Sequence, residues 1–233
     1  MRVFYLARRH FLVFLLPTLL VCPALFLMKT LYGLDAVTNL TDKVIIIDAG
    51  HGGIDPGANR PGVAEKDINL AISLELKEVL NRYGAKVVLS RQSDIELSPA
   101  CNNEQVRGRY HRDLMARAEM AEESDADLFI SIHANAVSNA QRHGAEVFYS
   151  AKSAVGKQLA ESIQAELCTV TQTGHLAKNA DYFVLRRNKI PAVLIEAGYI
   201  TNPAERQLLQ TPDYQHKLAE AIAKGISTYY HQG

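Results

Sequence analysis

The sequence predicts an α/β single domain: a mostly parallel twisted sheet with helices on both faces, preceded by an N-terminal membrane anchor. Three observations predict it. Short β-branched runs alternate with helical-period segments from residue 43 onward, as they do where helices cross over between parallel strands. The 233-residue chain is 48% hydrophobic and 21% charged, enough to bury one sizeable core but too short for two ordinary domains and a linker. The run FLVFLLPTLLVCPALFLM, from Phe11 to Met28, contains no charge.

That uncharged run follows Arg2, Arg8 and Arg9. Extended through Leu34, at about 1.5 Å per helical residue, it spans the roughly 30 Å hydrocarbon core of a bilayer. Pro17 and Pro23 kink such a helix without excluding it. The basic flank keeps the start inside and places everything after Lys29 on the extracytoplasmic side. A cleavable signal peptide competes with this reading, but no clear small-x-small site falls between Pro23 and Ala36,. The residue before Cys22 is also bulky for lipoprotein processing. The expected organisation is an uncleaved signal-anchor at 1–34, a short linker at 35–42 and a catalytic domain at 43–233. Removing the anchor leaves 21 of the 25 basic residues against 25 acidic ones. This mildly acidic balance argues against nucleic acid as a partner. Cys101 and Cys168 lack metal-binding spacing, and the sequence leaves their pairing open.

The first strand is expected at Val44–Asp48. Lys66–Tyr83 repeats apolar residues at Ile68, Ala71, Ile72, Leu76, Val79 and Leu80, a helix with one buried face that Gly84 terminates. Val87–Ser90 reads as a strand, Gln92–His111 as a long polar loop and Leu114–Glu122 as a helix. Strands are expected at Leu128–His133 and Ala145–Ser150, a helix at Ser153–Leu167, strands at Tyr182–Leu185 and Ala192–Glu196, and a closing helix at Gln215–Tyr230.

Three apolar runs stop at a side chain able to bind metal or move protons. VIIID leads to His51, LFISIH ends at His133 and AVLIE ends at Glu196. The carboxyl ends of parallel strands share one edge of the sheet, so residues distant in sequence can meet there. A single histidine after a strand is ordinarily structural; three such terminations with glycines beside two of them are not a packing accident. Glu65 opens a helix, where it favours the helix dipole and also lies close enough to the edge to reach a metal. His51, Glu65 and His133 with one open position make a catalytic zinc shell, one Zn2+ per chain. Asp48 and the backbone near Gly50 are candidates for fixing the His51 ring. Zinc acidifies water and polarises a carbonyl. Glu196 would move the proton from water to the leaving nitrogen of an amide; the alternative for Glu196 is a buried salt bridge.

The segments IIIDAGHGG, EKDINLA, ARAEMAEESDADLFISIHANA and PAVLIEAGYITNPAE resemble those of the zinc-dependent N-acetylmuramoyl-L-alanine amidases, which cut the amide between the muramic acid lactyl group and the peptidoglycan stem peptide. The resemblance covers residue 43 to the C-terminus. It places the family's ligands on His51, Glu65 and His133 and its catalytic glutamate on Glu196. The basic start, single anchor and SDIELSPACNNEQVRGRYHRDL loop further resemble the membrane-anchored spore-associated members, which prepare cortex peptidoglycan for muramic-δ-lactam formation. That resemblance implies peptidoglycan as substrate and the forespore intermembrane space as the location. The short span from Thr169 to Tyr182 leaves little room for the inhibitory helix of the division amidases, so control falls to a lipoprotein or other protein activator, or to timing.

Asn135 is either a substrate contact or a turn residue. Arg186 either pairs with a substrate carboxylate or is solvated. His175 reads as an exposed loop histidine and Arg117 as a structural match to the family pattern. Competing functions are a vegetative autolysin, a zinc peptidase cutting within the stem, and an anchored wall-binding protein without turnover.

Overall fold

In the computed structural model, which describes residues 40–232, the run Val44–Ala49 forms strand β1. The hairpin β2 (Asn59–Arg60) and β3 (Val63–Ala64) follows, then helix α1 (Glu65–Arg82) and strand β4 (Lys86–Leu89). Helix α2 (Arg109–Glu123) leads to β5 (Leu128–Asn135) and β6 (Glu146–Tyr149). Next come α3 (Ala154–Thr171), β7 (Lys178–Asn179), α4 (Phe183–Arg187), β8 (Ala192–Tyr199), α5 (Pro203–Leu208) and α6 (Pro212–Gln232). The main sheet runs β4-β1-β5-β8-β6-β7. Strands β4, β1, β5 and β8 are mutually parallel, β6 is antiparallel to β8, and β7 is parallel to β6.

Side chains alternate between the two faces of each strand, and both faces are covered. Ile45 and Ile47 of β1, Ile130 and Ile132 of β5, and Val193 and Ile195 of β8 pack under α1, α3 and α6. The intervening Ile46, Phe129 and Leu194 face α2 and α4. Burial on both faces is why these strands read as continuous apolar runs. Each fully buried isoleucine contributes about 1.5–3 kcal/mol.

Helix α1 buries Ile68, Ile72, Leu76, Val79 and Leu80 as one stripe. It starts without a side-chain cap but carries Glu65 and Asp67 in its first turn, where the dipole favours them. It ends at Tyr83, and Gly84 takes φ +90°, a conformation that costs glycine little.

The expected strand at Tyr182–Leu185 is instead the start of α4. A short apolar run fits either period, and a helical turn places Val184 and Leu185 together against the α2 side of the sheet. The edge position belongs to β7, two polar residues without a strand signal. Helix α5 was also absent from the expectation, although Asn202 caps it by accepting from the Ala204 and Glu205 amides and Pro203 occupies its first position,. Cys101 and Cys168 are free thiols. The expected anchor, with most of the linker, lies outside the described residues, among which no helix is long and apolar enough to cross a membrane.

On the α2 face, Asp48 and Arg117 are 1% and 2% exposed. Arg117 Nη1 donates to Asp48 Oδ1 at 2.6 Å, and Ser131 Oγ donates to Asp48 Oδ2 at 2.8 Å. Burial alone would raise the Asp48 carboxyl, but Arg117 and the Ser131 hydroxyl outweigh it and hold the carboxyl below its ordinary value. The pair's stabilisation is therefore fully present above the unfolded value near ~3.9 and fades as pH falls through the lower folded value. Arg117→Ala strands the buried carboxylate and should cost about 3–5 kcal/mol in urea unfolding at neutral pH; a loss below ~1 kcal/mol, the scale of an exposed pair, would contradict this reading.

Candidate metal centre and active site

Beyond Ala49 the chain leaves the sheet through Gly50 and His51, and His51 adopts φ +61°, a region few non-glycine residues occupy. Two buried guanidinium groups impose this path. Arg91 Nε donates to the Ala49 carbonyl at 3.0 Å and Nη2 to that of Gly50 at 3.1 Å. Arg117 Nη1 donates to the Ala49 carbonyl at 2.8 Å and Nη2 to that of His51 at 2.7 Å. Reciprocal backbone bonds between Gly52 and Asp55, at 3.0 and 3.1 Å, then fold the chain back. This brings Asp55 Oδ2 to 2.8 Å from His51 Nδ1 and leaves Nε2 facing Glu65 Oε1 at 3.1 Å.

Glu65 is the first residue of α1, and its carboxylate is fixed from several directions. Oε1 lies 3.0 Å from His133 Nδ1 and accepts from the Ala134 amide at 3.3 Å, while Oε2 accepts from the Ala58 amide at 2.7 Å. His133, near the end of β5, stands edge-on to His51 with ring centroids 4.9 Å apart. One ligating atom from each of His51, Glu65 and His133 falls within 4.8 Å of the others. Two imidazole nitrogens and a carboxylate oxygen suit zinc. Two glycines in the stretch after β1 are required by this crowding. A Cβ on Gly50 would penetrate the His133 ring, and one on Gly57, at φ +64°, would sit 2.7 Å from His51 Cδ2.

Glu196 is the register partner of His133 on β8. It is 9% exposed, and its Oε2 has no hydrogen-bond partner. Burial, with the charge of Glu65, raises its carboxyl to about 7 against the pull of His133. Glu65 behaves oppositely: burial raises it, but the bonds to His133 and His51 prevail and hold it well below the carboxylate range. Burial lowers His51, yet Glu65 and then Asp55 raise it to about 9. His51, Glu65, His133, Glu196, Asn135 and Tyr182 line one cavity of about 400 Å³.

The four expected residues, His51, Glu65, His133 and Glu196, thus converge, and Asn135 joins the wall. Asp48 does not touch the His51 ring. Its oxygens are taken by Arg117 and Ser131, and it acts on the histidine through Arg117's hold on the backbone. The ring partner is Asp55, which sequence reasoning missed. Its signal was the Asp-Pro-Gly turn four residues after the histidine, closed by Gly57 N donating to Asp55 Oδ1 at 3.1 Å. Arg186 is absent from the cavity wall; it pairs with Asp181 at 2.8 Å and lies over the Phe183 ring. His175 points elsewhere, its Nε2 3.0 Å from the His143 carbonyl.

Ligation requires neutral His51. With its nitrogen raised to about 9, His51 holds a proton at pH 7, and a zinc ion ligated through this ring would have to displace it. Calorimetry with added zinc, in buffers of different ionisation heat, should find about one more proton released per zinc at pH 7 than above pH ~9, with apparent affinity rising between those values. Zinc uptake at pH 7 without proton release would contradict the ring's charge state.

A family model described as N-acetylmuramoyl-L-alanine amidase matches residues 45–228. The germination-specific N-acetylmuramoyl-L-alanine amidase of Bacillus subtilis is 38% identical over 193 residues, covering 82% of this chain and 81% of that one. The structure of the CwlD amidase from Clostridioides difficile in complex with the GerS lipoprotein matches at TM-score 0.76 and 42% identity, covering 82% of this chain and 100% of that chain. The catalytic domain of the amidase CwlV from Bacillus (Paenibacillus) polymyxa matches at TM-score 0.70 and 32% identity, over 81% and 98% of the two chains. The span of the family model takes in all four side chains that converge on the cavity, and the chain belongs to the N-acetylmuramoyl-L-alanine amidase family.

Proposed function

We propose that this amidase is zinc-dependent, that it holds one Zn2+ through His51, Glu65 and His133, and that Glu196 is its proton shuttle. The convergence of those four side chains in one cavity carries the reading. A zinc ion there supplies a Lewis acid for the scissile carbonyl and lowers the pKa of water. The chain's own residues supply the rest. Asp55 orients the His51 ring from Nδ1, and the Ala58 and Ala134 amides keep the Glu65 carboxylate turned toward both imidazoles. Glu196, with Oε2 unpartnered and a carboxyl near 7, accepts a proton from the attacking water and returns it to the leaving stem nitrogen, a role worth about 10²–10⁴ in rate. Asn135, in the cavity wall, is placed to contact the substrate.

The finer assignment is spore-cortex peptidoglycan, with the product feeding muramic-δ-lactam formation. The germination-specific relative and the CwlD amidase support it. A lipoprotein activator is proposed from the GerS complex of the latter. We place residues 1–34 in the membrane as a signal-anchor, 35–42 as a linker and 43–233 as the catalytic domain on the extracytoplasmic side, in the forespore intermembrane space.

Glu196→Gln should retain zinc and lose at least a hundredfold in stem-peptide release; near-normal release would remove the shuttle role. Mass spectrometry of the products should find muramic acid with a free lactyl carboxyl, whereas cuts within the stem would indicate a peptidase. Spores lacking the protein should lack muramic-δ-lactam, and its persistence with a cell-separation defect would point to a vegetative autolysin.

A further inference from the structure

Next to Glu196 lies a charged cluster that the proposed reaction does not use. Glu146 is the register partner of Glu196 across the antiparallel β6–β8 pair, so both carboxylates project from the same face, about 4.5–5.5 Å apart at Cβ. Glu146 is 2% exposed, and its Oε1 accepts from two cations: Arg142 Nη2 at 2.8 Å and Lys178 Nζ at 2.7 Å. Burial would raise its carboxyl, but Lys178 and Arg142 are among the groups that hold it below the ordinary value, so Glu146 is ionised and counts as one negative charge.

Two cations around one anion leave a net positive charge, and it is not buried. The Arg142 and Lys178 side chains are 43% and 46% exposed. Each has one ion-pair partner, which leaves further donors on each head group for a ligand. Neither side chain lines the cavity itself, but each contacts or pairs with a residue next to its wall. The Arg142 guanidinium lies over the Tyr199 ring at 5.2 Å, and Tyr199 is the register partner of Asn135. Lys178 is the register partner of Phe148, whose ring stands edge-on to Tyr182 at 5.6 Å. Asn135 and Tyr182 both line the cavity.

An isolated surface cation would need no such base. Here a buried glutamate anchors two half-exposed cations one strand beyond the proton shuttle. We infer that Arg142 and Lys178 form an anion subsite that takes a free carboxylate of the stem peptide, one or two residues past the cut amide. An extended residue spans about 3.3–3.6 Å, so such a carboxylate reaches the neighbouring strand while the amide lies at Glu196. The inference rests on the amidase reading and deepens it: the subsite makes the enzyme discriminate stems with a free second-residue carboxyl from those in which that carboxyl is amidated.

The test uses two synthetic muramoyl peptides that differ only in that group. Binding is measured on the zinc-loaded full chain carrying Glu196→Gln, and cleavage on the unaltered chain. The free-carboxyl peptide should bind roughly tenfold more tightly than the amidated one, the scale of a charge-assisted bond. Lys178→Ala and Arg142→Ala should each remove most of that ratio, while Lys178→Arg keeps it. Each single variant leaves Glu146 one cation, and a merely structural role would weaken both peptides alike and leave the ratio untouched. Equal binding of the two peptides, or an unchanged ratio in both alanine variants, would overturn the subsite. Failure of the unaltered chain to cleave either peptide would instead count against the amidase reading, because the binding ratio is read without turnover.

Discussion

One carboxylate oxygen of Glu65 lies between the imidazoles of His51 and His133, 3.1 Å from one and 3.0 Å from the other, and much of the domain serves to keep these groups together. Such a cluster opposes folding: two imidazoles and an acid are taken from water, and His51 is held at positive φ. Burying charge is costly unless partners are supplied. The parallel sheet meets that requirement by bringing β1 and β5 side by side, while α1 begins at the acid itself.

The compensation extends to the interior. Arg91 and Arg117 each donate two bonds to carbonyls at the end of β1 and in the turn after it, and Asp48 and Asp113 balance Arg117. Burial, and then the neighbouring Arg117, pulls Arg91 down, whereas Asp48 and Asp113 overcome burial to push Arg117 up. The two arginines therefore differ in role despite their proximity. Arg117 belongs to a charge-balanced core network; Arg91 is bonded to carbonyls alone. A site built this way is set by backbone position, so the histidines need little freedom of their own.

The strand-and-helix alternation was legible because β1, β5 and β8 are buried on both faces and α1 on one. The four converging side chains were legible because Glu65 begins α1, His51 follows β1 by two residues, and His133 and Glu196 break the apolar runs of β5 and β8, which continue past them to Asn135 and Tyr199. Asp55 was not, since its contact with His51 depends on a turn whose closure no periodicity reports. The role given to Asp48 misjudged its partners: Asp48 lies on the same face of the sheet as His133 and Glu196 and lines the cavity, but its two oxygens are taken by Arg117 and Ser131 rather than by the His51 ring. The short helix α4 was read as a strand because five residues are too few for either period to declare itself. Glu146, a charge inside the apolar run AEVFY, was visible, but its neighbours Arg142 and Lys178 come from separate segments.

The central claim is that His51, Glu65 and His133 share a single zinc ion facing Glu196. Anomalous diffraction at the zinc edge, from crystals of the zinc-loaded protein, tests it most directly. The account requires one peak about 2.0–2.2 Å from an imidazole nitrogen of each histidine and from a Glu65 oxygen. A peak placed elsewhere, or a zinc held at this cavity by other side chains, would contradict it.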